Sequence, residues 1–398
     1  MMIPPPAVGS KYFALKDTTL SPRMLVGHAR EETLPWVLRH PDVRYHYLGR
    51  NASYALVKGL GLAGAEMLFP AFFGPPVLQA PLEAGANIRY YPVRAGMRVT
   101  IEDIRAALTP QTRAIYLIHF NGFPGPIREV MELARERDLV VIEDAAHAIL
   151  TTIAGSPAGS FGDGAVFSFY KWVPAPNGAA LVTNRPPVHP LSDGSKRSLT
   201  SGVALSTFSM LDYAALHWGS AGERTRAVVR SVGKRMSHAT NLTYVATGGV
   251  HFDDTELDFA MSAISHRVMR AQDWAMIAER RRRNYTLLAD LLSDIASPTQ
   301  GELPRGVVPL FYATNVENKR GVLLRLSARG VEGRNFWELH HPLLPAGVFP
   351  ETDELRRTQL ELPIHQDLVT DDIRRIAAAM RAILDPGAAR STTALAAD

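Results

Sequence analysis

Two apolar runs of strand length in the middle of the chain are each followed by polar side chains. The first run ends at Asp144, with His147 three residues later, and the second leads to Ser168 and Lys171. In a parallel α/β sheet, ligands bind beyond the carboxyl ends of the strands. An acid and a lysine brought together there suit pyridoxal phosphate (PLP), because the lysine forms a Schiff base with the aldehyde and the carboxylate keeps the pyridine nitrogen protonated. The spacing therefore predicts a PLP site with Asp144 and Lys171 as its catalytic residues.

The four polar residues have separate expected roles. Asp144 faces the ring nitrogen, His147 donates a hydrogen bond to the ring 3-oxygen, and Ser168 binds the phosphate. Lys171 carries the Schiff base and, once substrate displaces it, moves a proton between the substrate Cα and C4′ of the cofactor. Desolvation beside a cationic ring lowers the pKa of such a lysine towards neutrality, as this role requires. A purely structural role is the alternative for His147.

A small, polar turn at 49–56 opens the first helix of the predicted sheet region. A helix N-terminus offers unpaired N–H groups and a positive dipole end, which together bind phosphate. We therefore assign Arg50, Asn51 and Ala52 to the cofactor phosphate, with an ordinary helix cap as the alternative. Phe73, in the loop after the next strand, is assigned to stack on the pyridine ring and exclude water, with burial in the core as the alternative.

Composition restricts the class of protein. The chain has 398 residues, of which 46% are apolar, and this is enough to bury the core of two domains. The formal charge of +4 is small for this length, so no nucleic-acid partner is expected. The densest basic run, at 280–283, lies in a helical pattern and is interpreted as a solvated helix face.

Several other classes of site and location are excluded by pattern. The chain has no cysteine and no paired histidine spacing, so no disulfide, cysteine nucleophile or metal site is predicted. The most apolar later segment, at 203–218, is too short and too polar to span a bilayer, and the N-terminus lacks the pattern of a signal peptide. No membrane association is expected, and the expected location is the cytoplasm.

Helical and strand patterns alternate from about residue 48. Helices are predicted at 52–60, 76–84, 101–108 and 127–137, and strands at 66–70, 88–93, 114–119, 139–142 and 165–169. Strands separated by helices of this length build a mostly parallel sheet with helices on both faces, which is an α/β fold.

The alternation stops after Asn184, which divides the chain. Residues 185–247 are interpreted as an excursion, and a long helical pattern from about 255 to 292 leads into a smaller α/β unit. That unit has a predicted strand at 307–313 and predicted helices at 320–327 and 371–384. We predict a large PLP-binding domain at 1–250, which includes an N-terminal segment and the excursion, a small C-terminal domain at 251–386, and a disordered tail at 387–398.

Short motifs extend these observations along most of the chain. They are Gly49-Arg50-Asn51-Ala52 with Gly61-Leu62-Ala63-Gly64-Ala65-Glu66, Phe69-Pro70-Ala71-Phe72, Ile142-Glu143-Asp144-Ala145-Ala146-His147-Ala148, Gly159-Ser160-Phe161-Gly162-Asp163 with Phe167-Ser168-Phe169, and Leu362-Pro363-Ile364-His365-Gln366. In this order they resemble the DegT/StrS group of PLP-dependent sugar aminotransferases. The resemblance implies PLP fold type I, in which a large domain with a mostly parallel, seven-stranded sheet flanked by helices is joined to a smaller C-terminal α/β domain.

The same resemblance implies an activity and an assembly. The expected reaction is amino transfer from glutamate to a keto sugar or related ketone, a small-molecule substrate, in polysaccharide or natural-product biosynthesis. The expected assembly is a homodimer with shared active sites. The lysine is displaced from the family pattern, since Lys171 follows Ser168 by three residues without the usual Pro-Thr or Pro-Val pair. It is nevertheless the only lysine between Lys58 and Lys196.

Two further departures from the family pattern leave other activities open. The family's G-x-N-x-R-M segment stands here as 249–254, with His251 in place of the asparagine. We expect His251 to reach the cofactor phosphate or the substrate across the dimer interface, with simple interfacial packing as the alternative. The excursion at 185–247 is longer than is typical of the family. PLP chemistry without amino transfer (a cyclase, decarboxylase, racemase or dehydratase) and a binding role without catalysis therefore remain as alternative functions.

Overall fold

The computed structural model describes residues 13–27, 31–191, 193–196, 199–218, 221–222, 224–225 and 257–385. Its strands are β1 (Arg44–His46), β2 (Glu66–Pro70), β3 (Asn87–Tyr91), β4 (Thr112–Ile118), β5 (Val140–Asp144), β6 (Thr152–Ile153), β7 (Ser156–Pro157), β8 (Gly164–Ser168), β9 (Ala179–Thr183), β10 (Tyr312–Asn315), β11 (Arg334–Asn335) and β12 (Gln359–Leu362). Its α-helices are α1 (Trp36–Arg39), α2 (Gly49–Gly59), α3 (Pro75–Glu83), α4 (Ile101–Ala107), α5 (Ile127–Arg137), α6 (Leu199–His217), α7 (Ala263–Arg270), α8 (Trp274–Leu292), α9 (Lys319–Ala328), α10 (Pro350–Thr358) and α11 (Thr370–Leu384).

Seven strands form the large sheet, in the order β1-β9-β8-β5-β4-β2-β3. The pairs from β3 through β2, β4 and β5 to β8 are parallel, whereas β9 pairs antiparallel with both β8 and β1. Every residue of β8 and β9 is buried, as expected for strands covered on both faces. The mostly parallel α/β sheet predicted from the sequence is confirmed.

The helices between these strands follow from apolar spacing and local capping. In α5, the buried residues Ile127, Val130, Leu133 and Ala134 recur at helical spacing on one face. The predicted cap of α4 is also present, since the side chain of Thr100 accepts a hydrogen bond from Asp103 N. Because these helices alternate with the parallel strands, the carboxyl ends of the strands collect at one edge of the sheet.

A second, antiparallel sheet has the order β10-β12-β11 and packs with α8, α9 and α11 around its own apolar core. We call this group the C-terminal unit. The strand predicted at 307–313 is wrong in its bounds, because the backbone N–H groups of Val308 and Leu310 donate to Thr151 and Asn121 in loops of the large sheet rather than to a neighbouring strand. Only Tyr312–Asn315 joins the small sheet.

The long helix predicted from about 255 to 292 is interrupted in the described part of that range. It consists of α7 and α8, and the side chain of Asp273 accepts a hydrogen bond from Met276 N to begin α8. Such capping competes with continuation of a helix. Residues 192, 197–198, 219–220, 223 and 226–247 of the excursion, the segment around His251 and the tail at 387–398 lie outside the described residues. Within the described residues, no helix has both the length and the apolar character needed to cross a membrane.

Candidate active site

Asp144 and Ser168 lie at the carboxyl ends of adjacent parallel strands. Strand β5 ends at Asp144, which pairs in register with Val166 of β8, and β8 ends at Ser168. Lys171 follows in the turn after β8, and His147 follows β5. The structure therefore brings together Asp144, His147, Ser168 and Lys171, which the sequence analysis assigned to one site.

The carboxylate of Asp144 is buried and held by two donors. Its Oδ2 accepts from the hydroxyl of Tyr116 at 3.1 Å, and its Oδ1 accepts from Ala146 N at 3.0 Å. Burial, followed by the neighbouring charge of Asp144, raises the pKa of Tyr116 well above its usual value, so its hydroxyl keeps the proton that it donates. Since a carboxylate has about four acceptor positions, Asp144 has capacity for a further donor.

The adjacent acid, Glu143, points to the opposite face of the sheet, as alternation along a strand requires. It is fully buried and accepts hydrogen bonds from the backbone N–H groups of Gly159, Phe161 and Gly162, and it pairs with His119 at 2.9 Å. The two neighbouring acids thus have different roles: Glu143 holds the loop at 159–163 in place, and Asp144 faces the site.

Lys171 and His147 are in direct contact, with 2.8 Å between Nζ and Nε2. The other ring nitrogen, Nδ1, accepts from Asn121 N at 3.4 Å. In a neutral imidazole this leaves the proton on Nε2, which can donate to the Lys171 amine once that amine has lost its own proton. Burial and the nearby charge of Lys171 lower the pKa of His147 well below its usual value, which keeps the ring neutral.

Three charged groups surround the amine of Lys171. Burial is the main cause that lowers the pKa of Lys171 to about 8; Asp144 and Glu361 oppose this, while Arg334 adds to it. A lysine with such a pKa has a substantial neutral fraction near physiological pH, so it can act as a nucleophile and as a base.

The end of the site away from Asp144 is formed by Ser168 and the N-terminus of α2. A Cβ placed on Gly49 would lie 3.9 Å from Cβ of Ser168, so the two backbones are adjacent. The Ser168 hydroxyl is buried without a hydrogen bond of normal geometry, and Tyr170 is the polar side chain that faces it. Asn51 accepts from Leu48 N through its side-chain oxygen, as a helix cap does. Its assignment to the phosphate, like those of Arg50 and Ala52, stays a prediction.

The aromatic groups near the site come from two parts of the chain. Phe73 is fully buried and lies parallel to Tyr90 at 6.1 Å between ring centroids, so its predicted stacking on the cofactor stays a prediction. Trp337, which sequence reasoning missed, lies 5.6 Å from the ring of His147 and stacks on Phe336 at 4.1 Å. Trp337 has a positive φ of 42°, which is rare for a bulky residue and is often found at functional sites.

The sequence analysis also missed a polar group on the C-terminal unit. Arg334 of β11 bonds to Asp17 at 2.6 Å and lies 3.8 Å from the carboxylate of Glu361 on β12. Neither residue belongs to a recognisable short motif, and both lie far from Lys171 in the chain. Only the folding of the C-terminal unit against the large sheet brings them to the site.

Arg281 fixes the turn that carries Lys171. The interpretation of 280–283 as a solvated face is wrong for this residue, which is 1% exposed. Its guanidinium donates to the carbonyl oxygens of Leu310 and Trp172 and to Oε1 of Gln366. The amide of Gln366 also donates to the carbonyl of Trp172, at 2.8 Å. The residue after Lys171 is therefore held by two side chains from the C-terminal unit.

Replacing Arg281 with methionine should lower the free energy of unfolding by about 2–6 kcal/mol, since two buried acceptors lose their donor at roughly 1–3 kcal/mol each. Arg283 is exposed and offers a matched control. Its replacement with methionine should change stability by less than about 0.5 kcal/mol. Urea unfolding measures both variants, and equal effects would show that the hydrogen bonds of Arg281 contribute little.

Comparison with known proteins places this geometry in a family. Residues 51–190, from the first turn of α2 to beyond Lys171, match the model of the DegT/DnrJ/EryC1/StrS aminotransferase family. This segment is similar to the members of that family. The resemblance inferred from the motifs is therefore confirmed, and all the site residues described above on β5, β8 and α2, apart from Gly49 and Arg50, lie within the matched segment.

Curated relatives match the same family through partial alignments. The chain is 32% identical over 123 residues, 30% of this chain and 32% of the relative, to dTDP-4-dehydro-2,3,6-trideoxy-D-glucose 4-aminotransferase of Saccharopolyspora spinosa. It is 40% identical over 124 residues, 31% of this chain and 34% of the relative, to UDP-N-acetyl-3-dehydro-alpha-D-glucosamine 3-aminotransferase of Acidithiobacillus ferrooxidans. The chain thus spans about a third of the length of these relatives.

Solved structures share the fold over nearly the whole chain. The structure of DesI in the presence of its TDP-sugar product has a TM-score of 0.66 at 20% identity and covers 99% of this chain and 97% of that chain. The PLP form of the sugar aminotransferase Spr1654 from Streptococcus pneumoniae has a TM-score of 0.62 at 15% identity and covers 96% and 99%. At these identities the likeness shows the shared fold alone, over nearly the whole chain.

Proposed function

We propose that this protein is a PLP-dependent aminotransferase that moves an amino group, from glutamate or a similar amino acid, to a keto sugar or related ketone. The observation that carries the proposal is the contact of Lys171 with His147 beside Asp144, at the carboxyl ends of two adjacent parallel strands. The relatives that match the family segment carry the names of sugar aminotransferases, which supports the choice of acceptor.

The chemistry of the described residues fits PLP. Asp144 keeps acceptor capacity for a protonated ring nitrogen, and the unsatisfied hydroxyl of Ser168 lies beside the N-terminus of an 11-residue helix, which suits a phosphate. Between them, Lys171 supplies an amine whose pKa is lowered to about 8. When bound, PLP would supply an electron sink for bonds at the carbon that carries the amino group.

The side chains of the site perform complementary tasks in this proposal. The amine of Lys171 would hold the cofactor through its aldehyde and would move a proton at the substrate carbon, while His147 orients that amine through Nε2. Asp144 maintains a negative charge that Tyr116 and Ala146 orient. Trp337 and Phe336 cover the His147 side of the site and exclude water.

A donor half-reaction tests the proposed function directly. The PLP-loaded protein should lose its visible cofactor absorbance when L-glutamate or another amino acid is added, because the amino group is transferred to the cofactor. Adding a keto sugar should restore that absorbance. A loaded protein that keeps its visible absorbance with every amino donor would favour PLP chemistry without amino transfer. A protein that never binds PLP would favour a non-catalytic role.

The assembly and location are also proposed. A homodimer with shared active sites follows from the family resemblance, and His251 is proposed to reach the cofactor phosphate or the substrate from the partner subunit. Light scattering at micromolar concentration tests the dimer, and a fully active species of 43.6 kDa would contradict it. We retain the cytoplasm as the proposed location and a small molecule as the proposed substrate.

A further inference from the structure

A buried carboxyl group without a hydrogen bond of normal geometry lies on the C-terminal unit beside the site. Glu361, on the central strand β12 of the small sheet, is 0% exposed. Neither oxygen of its side chain has a hydrogen bond of normal geometry within the part of the chain that the structure describes. Its nearest cation is Arg334, whose Nε is 3.8 Å from Oε2 and is likewise unsatisfied.

Asn121 faces Glu361 from the large sheet. Both polar atoms of the Asn121 side chain are buried and lack a hydrogen bond of normal geometry among the described residues, although its amide points towards the Glu361 carboxyl group. The backbone of Asn121 adopts the left-handed conformation, with φ 51° and ψ 26°, and its N–H donates to His147. Asn121 therefore joins the Glu361 carboxyl group to the His147–Lys171 pair.

The charges of Glu361 and of the Lys171 amine influence each other's pKa. Burial raises the pKa of Glu361 to about 8, and the positive charges of Arg334, Lys171 and Lys319 oppose this rise. In turn, Glu361 is one of the groups that raise the pKa of Lys171. The carboxyl group is thus part of the same site as the amine, although it comes from the other sheet.

The charges already present restrict what can bind between Glu361 and Asn121. Glu361 disfavours a ligand carboxylate, and Arg334, which could otherwise bind one, is already paired with Asp17 at 2.6 Å. A ligand cation would be repelled by the positive charges of Arg334, Lys171 and Lys319. Neutral hydroxyl groups avoid both conflicts, because they donate to the carboxyl oxygens and accept from the Asn121 amide.

We infer that Glu361 and Asn121 form a hydroxyl-binding subsite beside Lys171, which selects ketones that carry hydroxyl groups next to the carbonyl carbon. A buried polar group that lacks a partner is costly, and it is commonly retained where a ligand supplies that partner. The inference rests on the proposed aminotransferase function and deepens it, because it names two residues that determine the acceptor.

The test compares two small ketones as acceptors. The protein is loaded with pyridoxamine phosphate, so that no amino donor is needed, and is mixed with 1,3-dihydroxyacetone or with acetone. The return of the visible absorbance gives a rate for each ketone. Their ratio in the Glu361→Leu variant, divided by the ratio in the unaltered protein, cancels the intrinsic reactivity of the ketones. The assay is run at about pH 9, where Glu361, with its pKa of about 8, is largely ionised. We expect this quotient to be about 0.01 to 0.1, which corresponds to the loss of a hydrogen bond to a charged group.

Two further variants keep the test decisive if Glu361→Leu folds poorly. At the same pH, Glu361→Gln keeps the volume but removes the charge, and the ratio should fall by at least about threefold. Asn121→Gly tolerates the left-handed backbone while removing the amide, and it should lower the ratio in the same direction. Glu354→Gln removes an exposed acid from α10 and should leave the ratio unchanged.

Each outcome separates this inference from the proposed function. Borohydride labelling of Lys171 by PLP should persist in all variants, which shows that the cofactor site is intact. If the absorbance returns but the ratio is the same in every variant, the subsite is refuted while amino transfer stands. If neither ketone nor any keto sugar restores the absorbance of the unaltered protein, the proposed function itself fails, and the subsite fails with it.

Discussion

Replacing Lys171 with alanine is expected to abolish covalent attachment of PLP and to reduce turnover by on the order of 10⁴-fold, the upper range for a positioned acid–base group. The amine is the nucleophile and the later proton carrier, and His147 alone cannot replace it because its pKa lies well below the usual value. Borohydride reduction followed by peptide mapping measures the attachment, and the half-reactions measure the turnover.

Exposed lysines on either side provide matched controls for this prediction. Lys58 and Lys196 are the nearest lysines in sequence, and both are exposed. Alanine at either position should leave the label on Lys171 and the rate unchanged. A phosphopyridoxyl group found on Lys58 or Lys196 would refute the assignment of Lys171.

The rate of PLP attachment should depend on pH through the amine of Lys171. Because burial lowers the pKa of Lys171 to about 8, its neutral fraction grows as pH rises and is nearly complete above that value. The rate should therefore rise about tenfold per pH unit below pH 8 and level off above it, whereas an exposed lysine would continue to gain reactivity up to about pH 10.4. Asp144, His147, Arg334 and Glu361 are the charged or titratable groups that face the amine.

Asp144→Asn is the second change with a large expected effect. The amide oxygen can still accept from Ala146 N, and the amide nitrogen can donate to the hydroxyl of Tyr116, so the fold and PLP binding should persist. Turnover should fall by about 10²- to 10³-fold, the usual loss when one stabilising group is removed from a water-excluded site. The reason is that an amide cannot hold the ring nitrogen protonated.

The control for Asp144 is Tyr116→Phe, which removes one donor to the carboxylate but leaves its charge. Phenylalanine can keep the stacking of this position on Phe69, whose ring centroid lies 4.6 Å away. We expect a rate loss of less than about tenfold, the value of one hydrogen bond. Equal losses in the two variants would show that orientation rather than charge is the contribution of Asp144, and a near-normal rate in Asp144→Asn would assign the role to another group.

The sequence was sufficient to predict the large sheet and the site residues that lie at the ends of its strands. Strand and helix patterns alternate from 48 to 184, and parallel strands bring their carboxyl ends to one edge, so residue order alone places Asp144 and Lys171 together. The same reasoning found Ser168 and His147, because each lies within a few residues of a strand end.

Residues whose position depends on packing between the two sheets could not be found in this way. Arg334, Glu361 and Trp337 reach the site only because the C-terminal unit packs against the large sheet, and short-range patterns carry no signal for this. Arg281 was misinterpreted because its neighbours in the basic run are partly or fully exposed, so the run resembles a solvated face. The carbonyl groups that pair with Arg281 are invisible in a sequence, since backbone acceptors exist at every residue.

The hydrogen bonds that meet at the carbonyl of Trp172 bear on protein engineering by domain exchange. A chimera that joins the large sheet of this protein to the C-terminal unit of a relative would retain Lys171 yet lose its supports unless Arg281 and Gln366 were carried over. Acceptor specificity would change in the same exchange, because Glu361 and Arg334 come from the transplanted part. The exchanged C-terminal unit therefore determines both the support of the turn after Lys171 and the selectivity for the ketone. A library of such units should be filtered first for side chains that can donate a hydrogen bond to the carbonyl of Trp172.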